Sequence, residues 1–173
     1  RCKESLDAAH DARYFQWFEK HRIDDAVKKE QRNAFFKSKP LISIITPLFR
    51  TPPKLFHEMA SSVLGQTYGN FELILVNADP DNDSLAKAIK SFVDRDDRIK
   101  EVRLKKNLGI SLNSAQGIAA ARGDYIAFLD HDDLLEPGTL FEYVSAINSD
   151  AEIDLLYCDE DKLFPNGTYG DPY

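Results

Sequence analysis

The chain has 173 residues, 43% of them hydrophobic and 29% charged, with a formal net charge of −7. That length supports one domain with a real core, and no apolar run approaches the roughly 20 residues of a membrane helix. The acidic balance argues against a broad basic surface for nucleic acid, so an anionic ligand must be held locally, against the overall field.

From Ser5 to about Phe36 the sequence is charged and free of Gly and Pro. Tyr14, Phe15, Trp17 and Phe18 cluster there, which predicts one or two amphipathic helices whose aromatics pack on the domain that follows. Lys37 to Pro40 breaks the pattern, since Pro cannot continue a helix interior. The expected division is therefore a helical extension at 1–39 and an α/β domain at 40–173.

Leu41 to Thr46, "LISIIT", predicts a buried strand. A helix follows from Lys54 to Leu64, entered through Pro52 and Pro53. Phe71 to Val76 is a second strand, and Ser84 to Val93 a helix capped by Asp83 or Ser84. Ile99 to Leu104 is a third strand. Ser111 to Ala121 is an Ala-rich helix that Gly123 ends. Asp124 to Leu129 is a fourth strand. Pro137 opens a helix to about Ile147, and Ile153 to Cys158 is a fifth strand. "FPNGTY", Phe164 to Tyr169, carries the Asn-Gly signal of a hairpin. Strands alternating with helices predict a mainly parallel, doubly wound sheet. The two cysteines, Cys2 and Cys158, lack metal-ligand spacing and read as reduced thiols of a soluble, cytoplasmic protein.

In such a sheet ligands bind outside the carboxyl ends of the strands. The first strand runs into Thr46-Pro47 and Arg50, the second into Asn77-Ala78-Asp79, and the third into Lys105-Lys106-Asn107-Leu108-Gly109. The fourth runs into Asp130-His131-Asp132-Asp133. Turn formers alone explain any one of these loops. Three carboxylates directly behind an apolar strand are harder to explain, because desolvated like charges need a cation or a proton to offset them. Oxygen ligands favour Mg²⁺ or Mn²⁺, bound through one or two carboxylates and substrate phosphates. No G-x-G-x-x-G follows the first strand, which argues against a dinucleotide fold, and no G-x-x-x-x-G-K-[ST] appears, which excludes a P-loop.

The residues "SIITPLFRTPP", "SSVLGQTYGNFELILVNAD", "NLGISLNSAQGIAAARGDYIAFLDHDDLLEPGTL" and "YCDEDKL", in this order and spacing, resemble the family 2 glycosyltransferases of the GT-A fold. The likeness is in particular to bacterial enzymes that build surface polysaccharides, and it runs from about Tyr14 to the end. The resemblance implies a nucleotide-sugar site. Thr46, Pro47 and Leu48 would pack around the nucleobase, with Arg50 behind them. Asn77 and Asp79 would lie at the base edge, and Asn107 and Gly109 would line the nucleoside pocket. Asp130 would approach the ribose or the metal, His131 would space the motif beside the donor phosphates, and Asp132 would bind the metal. Arg50, Asn77-Ala78-Asp79 and Ala115 depart from the family's usual residues, which leaves UDP against dTDP open.

The reaction so implied is an inverting displacement at the sugar's anomeric carbon, from a UDP- or dTDP-sugar to a glycan or lipid-linked acceptor, with Mn²⁺ or Mg²⁺ on the diphosphate. A carboxylate base should take the acceptor proton. The expected base lies beyond Tyr173, and Asp159, Glu160 and Asp161 are the weak candidates within the chain. On this reading the chain is the nucleotide-binding part of a longer transferase, which could dock peripherally on the inner membrane face, and an uncovered edge favours self-association. Two other functions stay open: a non-catalytic nucleotide-binding module, and an aspartyl-nucleophile phosphohydrolase, whose D-x-D normally ends the first strand of its fold.

Overall fold

The computed structural model describes residues 2–173, with side chains from residue 12 onward. The Cys2 side chain therefore lies outside the described residues. Two helices, α1 Cys2–His21 and α2 Asp25–Asn33, come first. Asp24 caps α2, its carboxylate accepting from Val27 N–H at 2.8 Å. Then follow β1 Ile42–Leu48, α3 Pro53–Leu64, β2 Phe71–Asn77, α4 Asp83–Val93, β3 Ile99–Arg103, α5 Ile110–Ala120, β4 Tyr125–Phe128 and α6 Thr139–Ser149. A hairpin, β5 Lys162–Leu163 and β6 Tyr169–Gly170, ends the chain. Among the described residues β1 to β4 form a parallel sheet in the order β3-β2-β1-β4, as the alternation of strands and helices predicts.

Residue parity divides the sheet into two faces. Ile42, Ile44, Leu48, Phe71, Leu73 and Leu75 face α3, α4 and α6 in the main core. Ile45, Ile74 and Val76 face α5 in a thin second cluster. That helix packs closely because Gly117 has no Cβ, which would stand 2.4 Å from the Ile45 Cγ2. It does not extend over β4, so Ile126 and Phe128 are 42% and 63% exposed. The fourth strand is thus half-buried on one face and exposed on the other, not buried throughout as its apolar sequence suggests.

Several elements differ from their sequence-based expectation. β1 runs through Pro47 to Leu48. Pairing with β4 stops at Ile45, whose carbonyl accepts from Leu129 N–H. Pro47, two residues on, turns its missing donor toward the same, now vacant, side, so the strand loses no ladder bond. Asn82, not Asp83 or Ser84, caps α4, accepting from Leu85 N–H at 3.1 Å. Helix α5 stops at Ala120 without Gly123. Gly123 is instead needed for close approach, since a Cβ there would lie 2.6 Å from the Leu41 carbonyl and the Ser43 hydroxyl. Pro137 precedes α6 but does not open it. The expected strand over Ile153 to Cys158 is absent, and Leu155 and Tyr157 are exposed. An apolar run becomes a strand only where a partner edge accepts it. Here the Tyr125 hydroxyl donates to Ile153 O at 3.2 Å, in place of a backbone ladder. The hairpin forms as expected, with Gly167 at φ +82. The aromatics of α1 pack on that hairpin, not on the parallel sheet. Phe15 and Phe18 meet Tyr169 at centroid distances of 6.2 and 4.6 Å, and Trp17 stays half exposed.

Glu72 is a charge within an otherwise apolar strand and is only 2% exposed. It accepts from Ser43 Oγ at 2.7 Å, from Arg122 N–H at 2.7 Å and from Lys100 Nζ at 2.5 Å. Burial pushes its carboxyl up, but these donors together outweigh burial and lower it from 4.5 to about 2. Its stabilisation is therefore complete above about pH 4.5 and fades as pH falls toward about 2. A shift of that size corresponds to about 3 kcal/mol. Glu72→Gln should cost about that much at pH 7, with a gap to wild type that narrows on acidification below the ordinary carboxylate range. Urea denaturation across pH checks this, and a gap independent of pH would refute it.

Candidate functional site

The order β3-β2-β1-β4 places a switch point between β1 and β4, where the chain's direction of winding reverses. β1 continues to Leu48 while its pairing with β4 ends at Ile45, so the β1 end and the turn Asp130 to Asp133 flank the point where the two strands part. Leu129 is the last buried residue, and Asp130, Asp132 and Asp133 are exposed. The expected desolvation of the cluster is thus limited. Partial burial raises the Asp133 carboxyl, and Asp132, Asp130 and Glu160 raise it further. His131 Nδ1 stands 3.6 Å from Asp132 Oδ1.

Among the described residues no group of three or more His, Cys, Asp or Glu side chains is placed to hold a metal ion by itself. Exposed carboxylate oxygens crowded into one turn nevertheless fit a hard cation that takes its remaining ligands from phosphate and water. They do not fit a closed nitrogen or sulfur site.

The other rim residues divide by burial. Thr46, Leu48 and Asn77 are fully buried, beneath the rim. Parity is the reason for Thr46 and Leu48, which point to the main core. Asn77 is occupied: its amide donates to Glu101 Oε1 at 2.7 Å and accepts from Asp79 N–H at 3.1 Å. Pro47 and Asp79 are half-buried, and Arg50, Asn107 and Gly109 are exposed. Asp79 accepts from Arg50 N–H at 3.2 Å and from the Asn82 amide at 3.0 Å, which joins the loops after β1 and β2. Arg50 adopts φ +54, a left-handed backbone uncommon outside Gly. Its guanidinium lies over Phe49, 5.2 Å from the ring centroid. Asn107 accepts from Gly109 N–H and from the Asn113 amide, both at 2.9 Å. Gly109, at φ +87, starts α5 with no side-chain cap.

Of the candidate bases, Asp161 accepts from the Tyr14 hydroxyl at 2.8 Å, while Asp159 and Glu160 are exposed. Desolvation and this bond push Tyr14 up to about 12. The Glu160 backbone pairs with Tyr173 in both directions, at 3.0 and 2.9 Å.

Sequence reasoning assigned no role to Gln66, Asn113 or Arg22. Gln66 stood in view within "LGQTY", but beyond a local bond to Ser62 O its partners lie 70 and 74 residues away. Asn113 organises the loop after β3 by accepting from Leu108 N–H at 3.1 Å. Nothing near it in sequence marks it from the other polar residues of α5.

The family model described as Glycosyl transferase family 2 matches residues 43–166. The O-antigen biosynthesis protein RfbC of Myxococcus xanthus is 29% identical over 162 residues, 94% of this chain and 13% of its own length. S. aureus TarS 1-349, solved in complex with UDP-GlcNAc, superposes with TM-score 0.56 at 21% identity, over 62% of this chain and 31% of that one. The mannosyltransferase PcManGT from Pyrobaculum calidifontis, in complex with GDP-Man and Mn²⁺, gives TM-score 0.57 at 15% identity, over 83% and 41%. Both structures share this fold. The chain spans under half the length of each of these three proteins.

The hydroxyl of Thr46 is buried without a hydrogen-bond partner. Thr46→Val should leave nucleotide affinity unchanged and hold or raise stability by up to about 1 kcal/mol, because it removes an uncompensated polar group. Calorimetry and urea melts check both; a clear loss of nucleotide affinity would return Thr46 to the site.

Proposed function

The chain belongs to glycosyl transferase family 2, and from that premise we propose that it forms the nucleotide-sugar-binding part of an inverting transferase. The sugar would pass from a UDP- or dTDP-sugar to a growing surface glycan or lipid-linked acceptor. The observation that carries this reading is the acidic turn at the switch point of a parallel sheet, beside a strand end that its neighbour has left. The named role of RfbC in O-antigen biosynthesis supports the acceptor class. The UDP-GlcNAc of TarS and the GDP-Man and Mn²⁺ of PcManGT support the donor class and the cation.

In this proposal Asp130 and Asp132 hold Mn²⁺ or Mg²⁺ against the donor diphosphate, with His131 beside the phosphates. When bound, the ion offsets charge on the departing diphosphate. Pro47, Asn107 and Gly109 line the nucleoside, Asp79 faces the base, and the exposed Arg50 supplies positive charge on an acidic protein. Thr46, Leu48 and Asn77 keep that wall in place from below. The acceptor hydroxyl oxygen attacks the anomeric carbon opposite the diphosphate, the bond to the diphosphate oxygen breaks, and the hydroxyl proton passes to a carboxylate base. Of Asp159, Glu160 and Asp161, Glu160 is the one whose charge is felt at Asp133. Residues 1–39 act as a brace for 40–173, because Gln31, Arg22 and Tyr14 all bond across that boundary. Among the described residues no helix is long and apolar enough to cross a membrane. The proposal puts the reaction in the cytoplasm, including its membrane face.

Mn²⁺ or Mg²⁺ should strengthen UDP binding, and Asp132→Asn should remove most of that gain. Equal UDP affinity with and without metal in the wild type, measured by calorimetry, would count decisively against the metal site. UDP and dTDP should raise the melting temperature more than ADP or GDP do, through Asp79 near the base. The reverse order would reassign the base pocket to purines.

A further inference from the structure

We infer that Gln66 and Arg22 are positioning residues for the acidic turn: they hold the segment directly behind it, Leu135 to Leu140, where Asp130 and Asp132 can meet a cation and a diphosphate together. The inference rests on the function proposed above and adds residues that lie away from the strand ends.

The turn has little structure of its own. Its one internal backbone bond is a long one, Asp133 N–H to Asp130 O at 3.3 Å. Its three carboxylates repel one another, so without restraint it would splay. Its shape is therefore set by its two ends. Upstream, Leu129 N–H is fastened to Ile45 O at 3.1 Å. Downstream, the fastening is made by residues far away in sequence. Leu135 N–H donates to Ser62 Oγ at 3.1 Å. Gln66 Nε2 donates to Glu136 O at 2.8 Å, and Gln66 Oε1 accepts from Leu140 N–H at 3.0 Å. Thr67 N–H donates to Pro137 O at 2.9 Å. Arg22 grips the Glu136 carboxylate with Nε at 3.0 Å and Nη2 at 2.9 Å.

Gln66 is 6% exposed and both halves of its amide are used. It also supplies the cap that α6 lacks, since Gly138 at the N-cap has no side chain to offer. Only an amide of this length can donate to one backbone atom and accept from the other. Arg22 adds something different. Its guanidinium fixes the Glu136 carboxylate bidentately, three residues behind Asp133. The same helix α3 that carries Ser62 starts at Pro53, just behind the loop after β1. One rigid element thus links the loop proposed to hold the nucleoside with the clamp behind the acidic turn.

The test measures UDP and, in parallel, GDP affinity by calorimetry with Mn²⁺ and with EDTA, on the wild-type chain and on Gln66→Met, Arg22→Ala and Arg22→Lys. The quantity read is the ratio of affinities with and without metal, which partial unfolding lowers in stoichiometry but does not change. Gln66→Met should cut this ratio about tenfold, as removal of groups that orient metal ligands does. Arg22→Ala should cut it about threefold, the scale of a half-exposed ion pair, and Arg22→Lys should recover part of the loss. If Gln66→Met does not fold, the Arg22 pair decides. A wild-type ratio that survives in the variants overturns the positioning role alone. So does an equal loss of affinity with and without metal, which marks general damage. A wild-type ratio of one for both nucleotides instead brings down the metal-dependent function, and this inference with it.

Discussion

A carboxylate buried inside a sheet must be answered by donors, and Glu72 draws its donors from three other stretches of the chain. Ser43 belongs to β1, Lys100 to β3, and Arg122 to the link between α5 and β4. The same Ser43 hydroxyl accepts from Gly123 N–H at 2.8 Å. One charge therefore ties β2 to both flanking strands and fixes where the chain enters β4. Asp124 then locks that start, with its N–H on Leu41 O and its carboxylate accepting from Leu41 N–H, both at 2.8 Å. Once the start and register of β4 are set, so is the level at which it leaves β1, and hence the position of the acidic turn at the far end of the sheet.

The clamp behind that turn combines interactions of unequal weight. Loss of the buried Gln66 amide would strand Leu140 N–H at about 1–3 kcal/mol. The Arg22–Glu136 pair is about 40% exposed on each side, and such pairs contribute about 0.2–1 kcal/mol. Burial pulls the Arg22 guanidinium down, and the Glu136 hydrogen bond and charge raise it overall. The amide thus dominates the stability of the segment, and the ion pair contributes the smaller part.

The two faces of the sheet are also unequal. Helices α3, α4 and α6 cover one face with a thick core, in which Phe56, Met59, Leu85 and Leu140 are at 0% exposure. The other face depends on α5 alone, a helix that buries only Asn113 and Gly117 among its residues. The rim of the site inherits this asymmetry. The β1 and β2 ends rest on the thick core through Leu48 and Asn77, whereas Asn107 and Gly109 stand on an exposed loop held by the single buried side chain of Asn113.

Local sequence determined much of this protein. Periodicity placed the helices and all four strands of the parallel sheet, Asn166-Gly167 placed the hairpin, and the apolar run before Asp130 placed the acidic turn at a strand end. These signals are short-range: side-chain spacing, turn chemistry and capping act over a few residues. What the sequence did not disclose depends on partners far along the chain. β1 passes through Pro47 only because β4 has already turned away. The run from Ile153 to Cys158 pairs with no strand, and Tyr125, 28 residues earlier, meets its first carbonyl instead. Strand parity turns the Thr46 side chain into the core, because it falls on the face that the helices thicken. Glu72 finds Ser43 29 residues away, and Tyr14 finds Asp161 147 residues away. Burial and hydrogen-bond closure over such separations are properties of the packed chain, so only the tertiary structure could decide them.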